Sequence, residues 1–165
     1  MVKLETNEII LRSASYEDCG LLWVWTNDPG TRAMSFISKD IAWEEHVQWF
    51  QTKIESSDCI LWIAESTKQE ALGQIRFDIC GAEATMSISI DRKFRNKGYG
   101  SRIIRSALQK LFINSNVQVV YAYIKPENKA SIHAFLNASF QIAGTMKVHD
   151  QLAIQMTFLS GQQSI

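Results

Sequence analysis

The segment Arg95-Asn96-Lys97-Gly98-Tyr99-Gly100-Ser101 is the part of the chain whose residue types and spacing most clearly suit chemistry. It joins a strictly alternating stretch to a stretch of helical period. A ligand phosphate there would meet free backbone N–H groups and the positive end of a helix dipole. Two glycines permit close backbone approach, and Arg95 and Lys97 add charge, so a pyrophosphate is the natural guest. The plainer reading is a tight strand-to-helix turn. A P-loop needs a Gly-Lys-Ser/Thr end and the dinucleotide fingerprint needs a third glycine at position 103, which is Ile here. A β-branched residue at Gly100 is expected to obstruct the phosphates and leave the fold intact.

Among groups suited to proton transfer, His46 has the best reference pKa, about 6.5. It stands at the edge of the apolar stripe Trp43, Val47, Phe50 and Ile54 of a helix, and its alternative is a packed or solvent-facing histidine. His133 and His149 read as surface residues. Glu83 and Asp78 read as solvated strand carboxylates. Cys19, Cys59 and Cys80 lack metal-ligand spacing and read as reduced core thiols, and no metal site is expected.

These residues need elements to position them. Glu8 to Arg12 reads as a strand, and Ser15 with Asp18 as the capping box of a helix through Leu21, Leu22 and Trp25, which Asn27-Asp28-Pro29-Gly30 stops. The helix from Trp43 follows. Cys59 to Ala64 and Leu72 to Ile79 pair around the turn Ser66 to Glu70. Ala82 to Asp91 alternates, with Ala84, Met86, Ile88 and Ile90 on one face. Ile103/Ile104, Ala107/Leu108 and Leu111/Phe112 mark a helix of about three turns. Val117 to Ile124 is a strand, Asn128 caps a helix carrying Ile132, Phe135 and Leu136, and Phe140 to Val148 and Leu152 to Phe158 are strands. The order predicts an α/β fold with a mixed sheet.

With 165 residues, 46% of them hydrophobic and 21% charged, the chain suits one cored domain, residues 1–160, with a polar tail at 161–165. Seventeen basic residues balance seventeen acidic ones, which gives no support to nucleic-acid or membrane partners. Met1 to Glu8 has no apolar signal core and no run suits a membrane span, so a cytoplasmic location is expected.

Arg95-x-x-Gly98-x-Gly100 after Ile88-Ser89-Ile90-Asp91 resembles the pyrophosphate-loop signature of the GNAT N-acetyltransferase superfamily. Asn128-Lys129-Ala130-Ser131 through Ala138-Ser139-Phe140 resembles its second signature, with Ser139 in place of the usual Gly. The resemblance extends from about Ile9 to Phe158. It implies a mixed sheet of about seven strands flanked by about four helices, with strands 4 and 5 splayed. Acetyl-CoA would bind between them: backbone of Ile88, Ser89 and Ile90 on the pantetheine, residues Arg95 to Ser101, including Asn96 and Tyr99, around the pyrophosphate, and Asn128, Ser131 and Phe135 along the arm. Phe135 stands where relatives often carry a Tyr general acid, and Tyr123 where some carry a catalytic Glu. Backbone carbonyls and ordered water can relay the proton in this superfamily.

Residues 25–46 resemble the branch that acetylates the 4-amino group of UDP-linked amino sugars on routes to nonulosonic acids. Trp25, Asn27, Arg32, Phe36, Trp43, His46 and, on a strand, Arg76 are then the acceptor residues, with Arg32 on a nucleotide phosphate. The same order of elements also resembles acetylases of ribosomal-protein N-termini. A catalytically silent acyl-CoA-binding domain is the third reading. The partner expected is a small-molecule amine, and a homodimer is left open.

Overall fold

The computed structural model describes residues 8–163. Most of the N-terminal stretch read above for a signal core, and the last two residues of the tail, lie outside them. The elements are β1 (Ile9–Ser13), α1 (Cys19–Thr26), α2 (Pro29–Met34), α3 (Trp43–Glu55), β2 (Cys59–Ser66), β3 (Ala71–Cys80), β4 (Glu83–Ile90), α4 (Tyr99–Asn114), β5 (Val119–Ile124), α5 (Lys129–Asn137), β6 (Gln141–Val148) and β7 (Gln151–Leu159). The seven strands form one mixed sheet in the order β1-β2-β3-β4-β5-β7-β6, in which the β4–β5 pair is parallel. This is the expected α/β architecture with one helix more than expected. No helix among the described residues is long and apolar enough to cross a membrane.

Alternation along the strands divides the interior in two. Trp62, Ile75, Phe77, Ala84, Met86, Val120 and Ala122 point to one face, where the apolar stripe of α4, Ile103, Ile104, Ala107, Leu108 and Leu111, covers them with Phe135 of α5. Leu61 and Ile63 point to the other face and meet Leu22 and Trp25 of α1 and Phe50 of α3. Burying each large aliphatic side chain stabilises the fold by about 1.5–3 kcal/mol, so these faces fix where the polar residues between them must lie. Gln74, Arg76 and Asp78 of β3, and Ser87 and Ser89 of β4, fall on the α1/α3 side between apolar neighbours.

Several local readings change. Asp28-Pro29 stops α1 and also starts α2: Asp28 Oδ1 accepts from Thr31 N at 3.1 Å, and Pro29 takes the first helical position, where its missing N–H costs nothing. The buried stripe of α3 is rotated toward His46 and Phe50, leaving Trp43 exposed. Cys80 and Leu136 are exposed, so Cys80 is no core thiol. Ser160–Gln163 forms a 3-10 turn in place of a loose tail. Asp18 reaches back to Ser15 N at 2.7 Å, as the capping box requires, and is held by Arg12 at 2.8 Å. Ser139 adopts φ 70° directly after α5, the left-handed position that helix ends reserve for Gly, which explains why its replacement of Gly stands out.

Candidate active site

β4 and β5 share only three paired positions, Glu83–Thr85 against Val119–Tyr121. Beyond them the strands part. β4 continues against β3 to Ile90, and β5 continues against β7 to Ile124. The β5-facing edge of residues 86–90 therefore has no strand partner, and a cleft of about 1160 Å³ threads the sheet there, lined from both faces.

On the α4/α5 side the cleft meets the loop of residues 95–101. Asn96 (φ 58°) and Gly98 (φ 79°) are left-handed, which turns successive amides to one side. Gly98 is the N-cap of α4, and no side chain caps that helix, as none caps α1 or α3. The first amides of α4 thus open on the cleft, as an anion site requires. Asn128 Oδ1 accepts from Ser131 N at 3.2 Å, so these two residues first build the start of α5 and then line the cleft with Lys129 and Ala130. Phe135 packs edge-on to Phe140 with centroids 4.9 Å apart and has no proton to give.

Gly100 has a packing role beside the one expected. A Cβ there would lie 3.3 Å from Ala134 Cβ on α5, so the glycine sets the approach of the two helices as well as access to the loop. Gly100→Val should weaken CoA binding at least tenfold by calorimetry and also lower Tm by several degrees, in contrast to a native-like fold. Adding Ala134→Gly should recover part of the Tm. A variant with wild-type Tm would return Gly100 to a purely phosphate-facing role.

The two basic side chains of the loop turn away from its amides. Arg95 donates from Nε to Ile90 O at 2.9 Å, pairs through NH1 with Asp28 Oδ1 at 2.8 Å, and donates from NH2 to Thr31 Oγ1 at 3.1 Å. It ties the loop to α2. Lys97 Nζ donates to Lys93 O and stands over the Phe94 ring, away from the cleft lining.

On the α1/α3 side the lining includes Glu45, His46 and Trp49 of α3, Gln74 and Arg76 of β3, and Ser87 and Ser89 of β4. Arg76 spans 5.2 Å to the centroid of Trp49, donates from Nε to Asp78 Oδ2 at 2.9 Å, and places NH2 3.4 Å from Ser87 Oγ. Burial raises the pKa of Asp78, but the bonds from Lys53 and Arg76 outweigh it and hold the carboxylate below its usual range. Asp78 is thus an ion-pair partner, not a solvated carboxylate. Glu83 is exposed, as read. His46 is 1% exposed, at the centre of the α3 stripe and not its edge. Its Nε2 lies 2.9 Å from Cys19 O, an acceptor, so Nε2 carries the proton. Its ring packs with Trp43, Trp49 and Phe50. Burial lowers its pKa, partly offset by the Cys19 carbonyl.

Of the acceptor residues read from sequence, Arg32, His46 and Arg76 line the cleft, and Trp25, Asn27, Phe36 and Trp43 do not. Trp25 is buried and donates from Nε1 to Asp91 Oδ2 at 2.7 Å, fixing the end of β4. Asn27 clamps Ile41 through its N–H and carbonyl, both at 2.9 Å. Phe36 contributes its carbonyl to Gln151 Nε2. Trp43 packs edge-on to Trp23. Arg32 spends its guanidinium on the carbonyls of Thr26, Ile37 and Lys39 and on Ser35 Oγ, so it folds the 35–39 segment and is not free for a phosphate. Tyr123 is half-buried on β5 and does not line the cleft. His149 is exposed as read, and His133 is exposed at the cleft rim. Sequence reading missed Gln74, Ser87 and Trp49, while Glu45 lies within the 25–46 stretch read for the acceptor. Alternation along β3 puts Gln74 on the same face as Arg76, a signal that could have found it.

The comparisons with known proteins bear on the family and the fold. Residues 8–141 match the family profile described as acetyltransferase (GNAT) domain. A Bacillus subtilis protein named as a candidate phosphinothricin acetyltransferase is 26% identical over 137 residues, 79% of this chain and 82% of its own. An uncharacterised Methanocaldococcus jannaschii protein is 24% identical over 83% of this chain, which spans only 29% of that relative. Among solved structures, the spermidine N-acetyltransferase of Vibrio cholerae, in complex with CoA and spermine, superposes with TM-score 0.83 at 18% identity, covering 93% of this chain and 96% of its own. An aminoglycoside acetyltransferase in complex with coenzyme A and kanamycin gives TM-score 0.81 at 16% identity, over 95% and 99%. At that identity the likeness is one of fold. The chain belongs to the GNAT acetyltransferase family, whose enzymes take acetyl from acetyl-CoA.

Proposed function

We propose that this chain acetylates the primary amine of a small, hydroxyl-bearing anionic acceptor, best matched by a nucleotide-linked amino sugar. The observation that carries this is the charge of the lining. Arg95, Glu127 and Lys129 belong to the donor side of the lining, and on the acceptor side the single carboxylate Glu45 stands with Arg32 and Arg76. A polycation such as spermine or kanamycin favours a carboxylate-rich wall. This wall favours the opposite. With Arg32 and Arg95 committed to internal partners, Arg76 takes over as the residue for an acceptor phosphate: its NH1 has no partner among the described residues, and Trp49 lies beneath its guanidinium. Ser87 and Ser89 supply donors and acceptors suited to sugar hydroxyls.

The residues present fit acetyl-CoA. The uncapped amides of α4 with left-handed Asn96 and Gly98 suit its pyrophosphate, and the free edge of Ile88 to Ile90 suits its amide-bearing arm. When bound, it supplies an acetyl group activated as a thioester. The chain's own part is to bring the amine to that edge from the α1/α3 side, to polarise through fixed backbone N–H groups, and to keep the attacking face dry. Phe135 leaves departure of the thiolate to solvent, which a thiol of ordinary pKa about 8.5 permits. His46 is held in its packing, and the resemblance to this superfamily assigns the amine proton to ordered water and backbone carbonyls.

The test is CoA release from acetyl-CoA with UDP-amino sugars, ribosomal-protein N-terminal peptides, spermine and kanamycin, with product mass. Acetylated UDP-amino sugar is expected, with Arg76→Gln raising acceptor KM about tenfold and leaving the KM of acetyl-CoA unchanged. Rapid acetylation of a peptide or a polycation, with none of the UDP-sugars, would overturn the assignment. CoA binding with no amine turned over would favour a silent binding domain.

A further inference from the structure

We infer that Gln74 is a specificity determinant whose Oε1 accepts a hydrogen bond from the acceptor's amine. The inference rests on the α1/α3 side of the cleft being the acceptor side, and not on the acceptor's charge. Gln74 Oε1 is the one buried side-chain polar atom among the described residues with no hydrogen-bond partner. Its amide nitrogen is 3.4 Å from Ser89 Oγ, which orients the carboxamide along the β3–β4 pair. Leaving an acceptor buried and unpaired is costly, and native proteins rarely do so without a ligand or water to satisfy it.

The orphan atom belongs to a cleft-lining residue. Gln74 pairs in register with Ser89, in the part of β4 whose opposite edge lacks a strand partner. An amine arriving from the α1/α3 side to attack a carbonyl held along that edge must bring N–H groups into this region. Attack uses the nitrogen lone pair, which leaves N–H bonds free to donate. A carboxamide oxygen holding one of them fixes the lone pair's direction without titrating, and it serves a neutral amine as well as the ammonium from which it forms.

The experiment compares Gln74→Leu and Gln74→Glu with wild type, using whichever acceptor the CoA-release panel identifies. Gln74→Leu should lower kcat/KM for the acceptor about 10–100-fold, keep the CoA Kd within about twofold by calorimetry, and leave the ligand-free Tm unchanged or about 2–4 °C higher, because it removes an unsatisfied polar atom. A structural glutamine would behave in the opposite way, losing Tm with little change in kcat/KM. Gln74→Glu should shift the pH at which the acceptor's rate rises upward, since a carboxylate favours the ammonium form. Unchanged kcat/KM, a fall in CoA affinity matching the loss of activity, or a clear loss of Tm in Gln74→Leu would each overturn the proposal. If Gln74→Leu does not fold, an unshifted profile in Gln74→Glu overturns it. Failure of UDP-sugars in the panel with normal turnover of another amine would sink the acceptor assignment and leave this test intact. No turnover of any amine by a folded wild type would overturn the proposal together with the enzyme reading.

Discussion

Alanine in place of Gly73 should destabilise the fold by about 3 kcal/mol or more and lower kcat/KM roughly 100-fold in whatever fraction stays folded. A Cβ at Gly73 would lie 2.3 Å from the carbonyl oxygen of Ser89 and 3.1 Å from Ile90 Cα. Both are backbone atoms, so no side-chain rotation relieves the contact. Relief requires β3 and β4 to separate where Gly73 pairs with Ile90 and Gln74 with Ser89. That is the stretch of β4 whose other edge faces the cleft, so a displacement of about 1 Å there moves both the donor-binding edge and Gln74. Urea unfolding and steady-state kinetics on the same preparation check both effects. An alanine variant with wild-type unfolding midpoint and wild-type kcat/KM would show that the strands yield at this point and that the position of the edge is not critical.

Gly73 also marks where sequence reading stops. Within Leu72 to Ile79 it looks like a weak residue in an otherwise good strand, and its reason is a tertiary approach of one strand to the next. Elements with a long hydrophobic period were legible: the α4 stripe and the alternation of β4 emerge with the faces expected. The loop before α4 was legible as a strand-to-helix turn with left-handed positions, because glycines at such a junction act through local backbone geometry.

Charged side chains were not legible in the same way. Arg95 has the right charge for a phosphate, but its partner Asp28 is brought beside it only by the packing of α2. Arg32 looks free in sequence, yet four groups from residues 26–39 converge on it. α2 carried its own signals, Asp28 as cap and Pro29 at the first position, and these were overridden by reading Asp-Pro-Gly as a stop. The splay of β4 from β5 has no local signature and came from resemblance alone. Gln74 was hidden because an orphaned acceptor is a property of its surroundings, and residue type cannot show it.

His46 should prove to be a clamp between α1 and α3, and its removal should be read mainly in stability. His46→Ala opens a cavity among Trp43, Trp49 and Phe50 and leaves Cys19 O without its side-chain donor, at a cost of about 3 kcal/mol. The pH dependence follows from the direction of its shift. Burial lowers the folded-state pKa below the unfolded value of about 6.5, so between those two values the unfolded chain binds more protons than the folded one. The stability His46 contributes is therefore fully present above about pH 6.5 and is lost as pH falls through the unfolded value toward the folded one. His46→Gln removes the titration and keeps an N–H for the Cys19 carbonyl. The stability difference between wild type and His46→Gln should shrink from pH 7.5 to pH 5, and kcat should stay within about tenfold with the acidic limb of the rate profile in place. A proton acceptor at this position would instead lower kcat about 10²–10⁴-fold and abolish that limb. A stability difference that grows toward acid would mean that the fold favours the imidazolium, with Glu45 on the same helix as the first partner to examine, and would sink the clamp assignment.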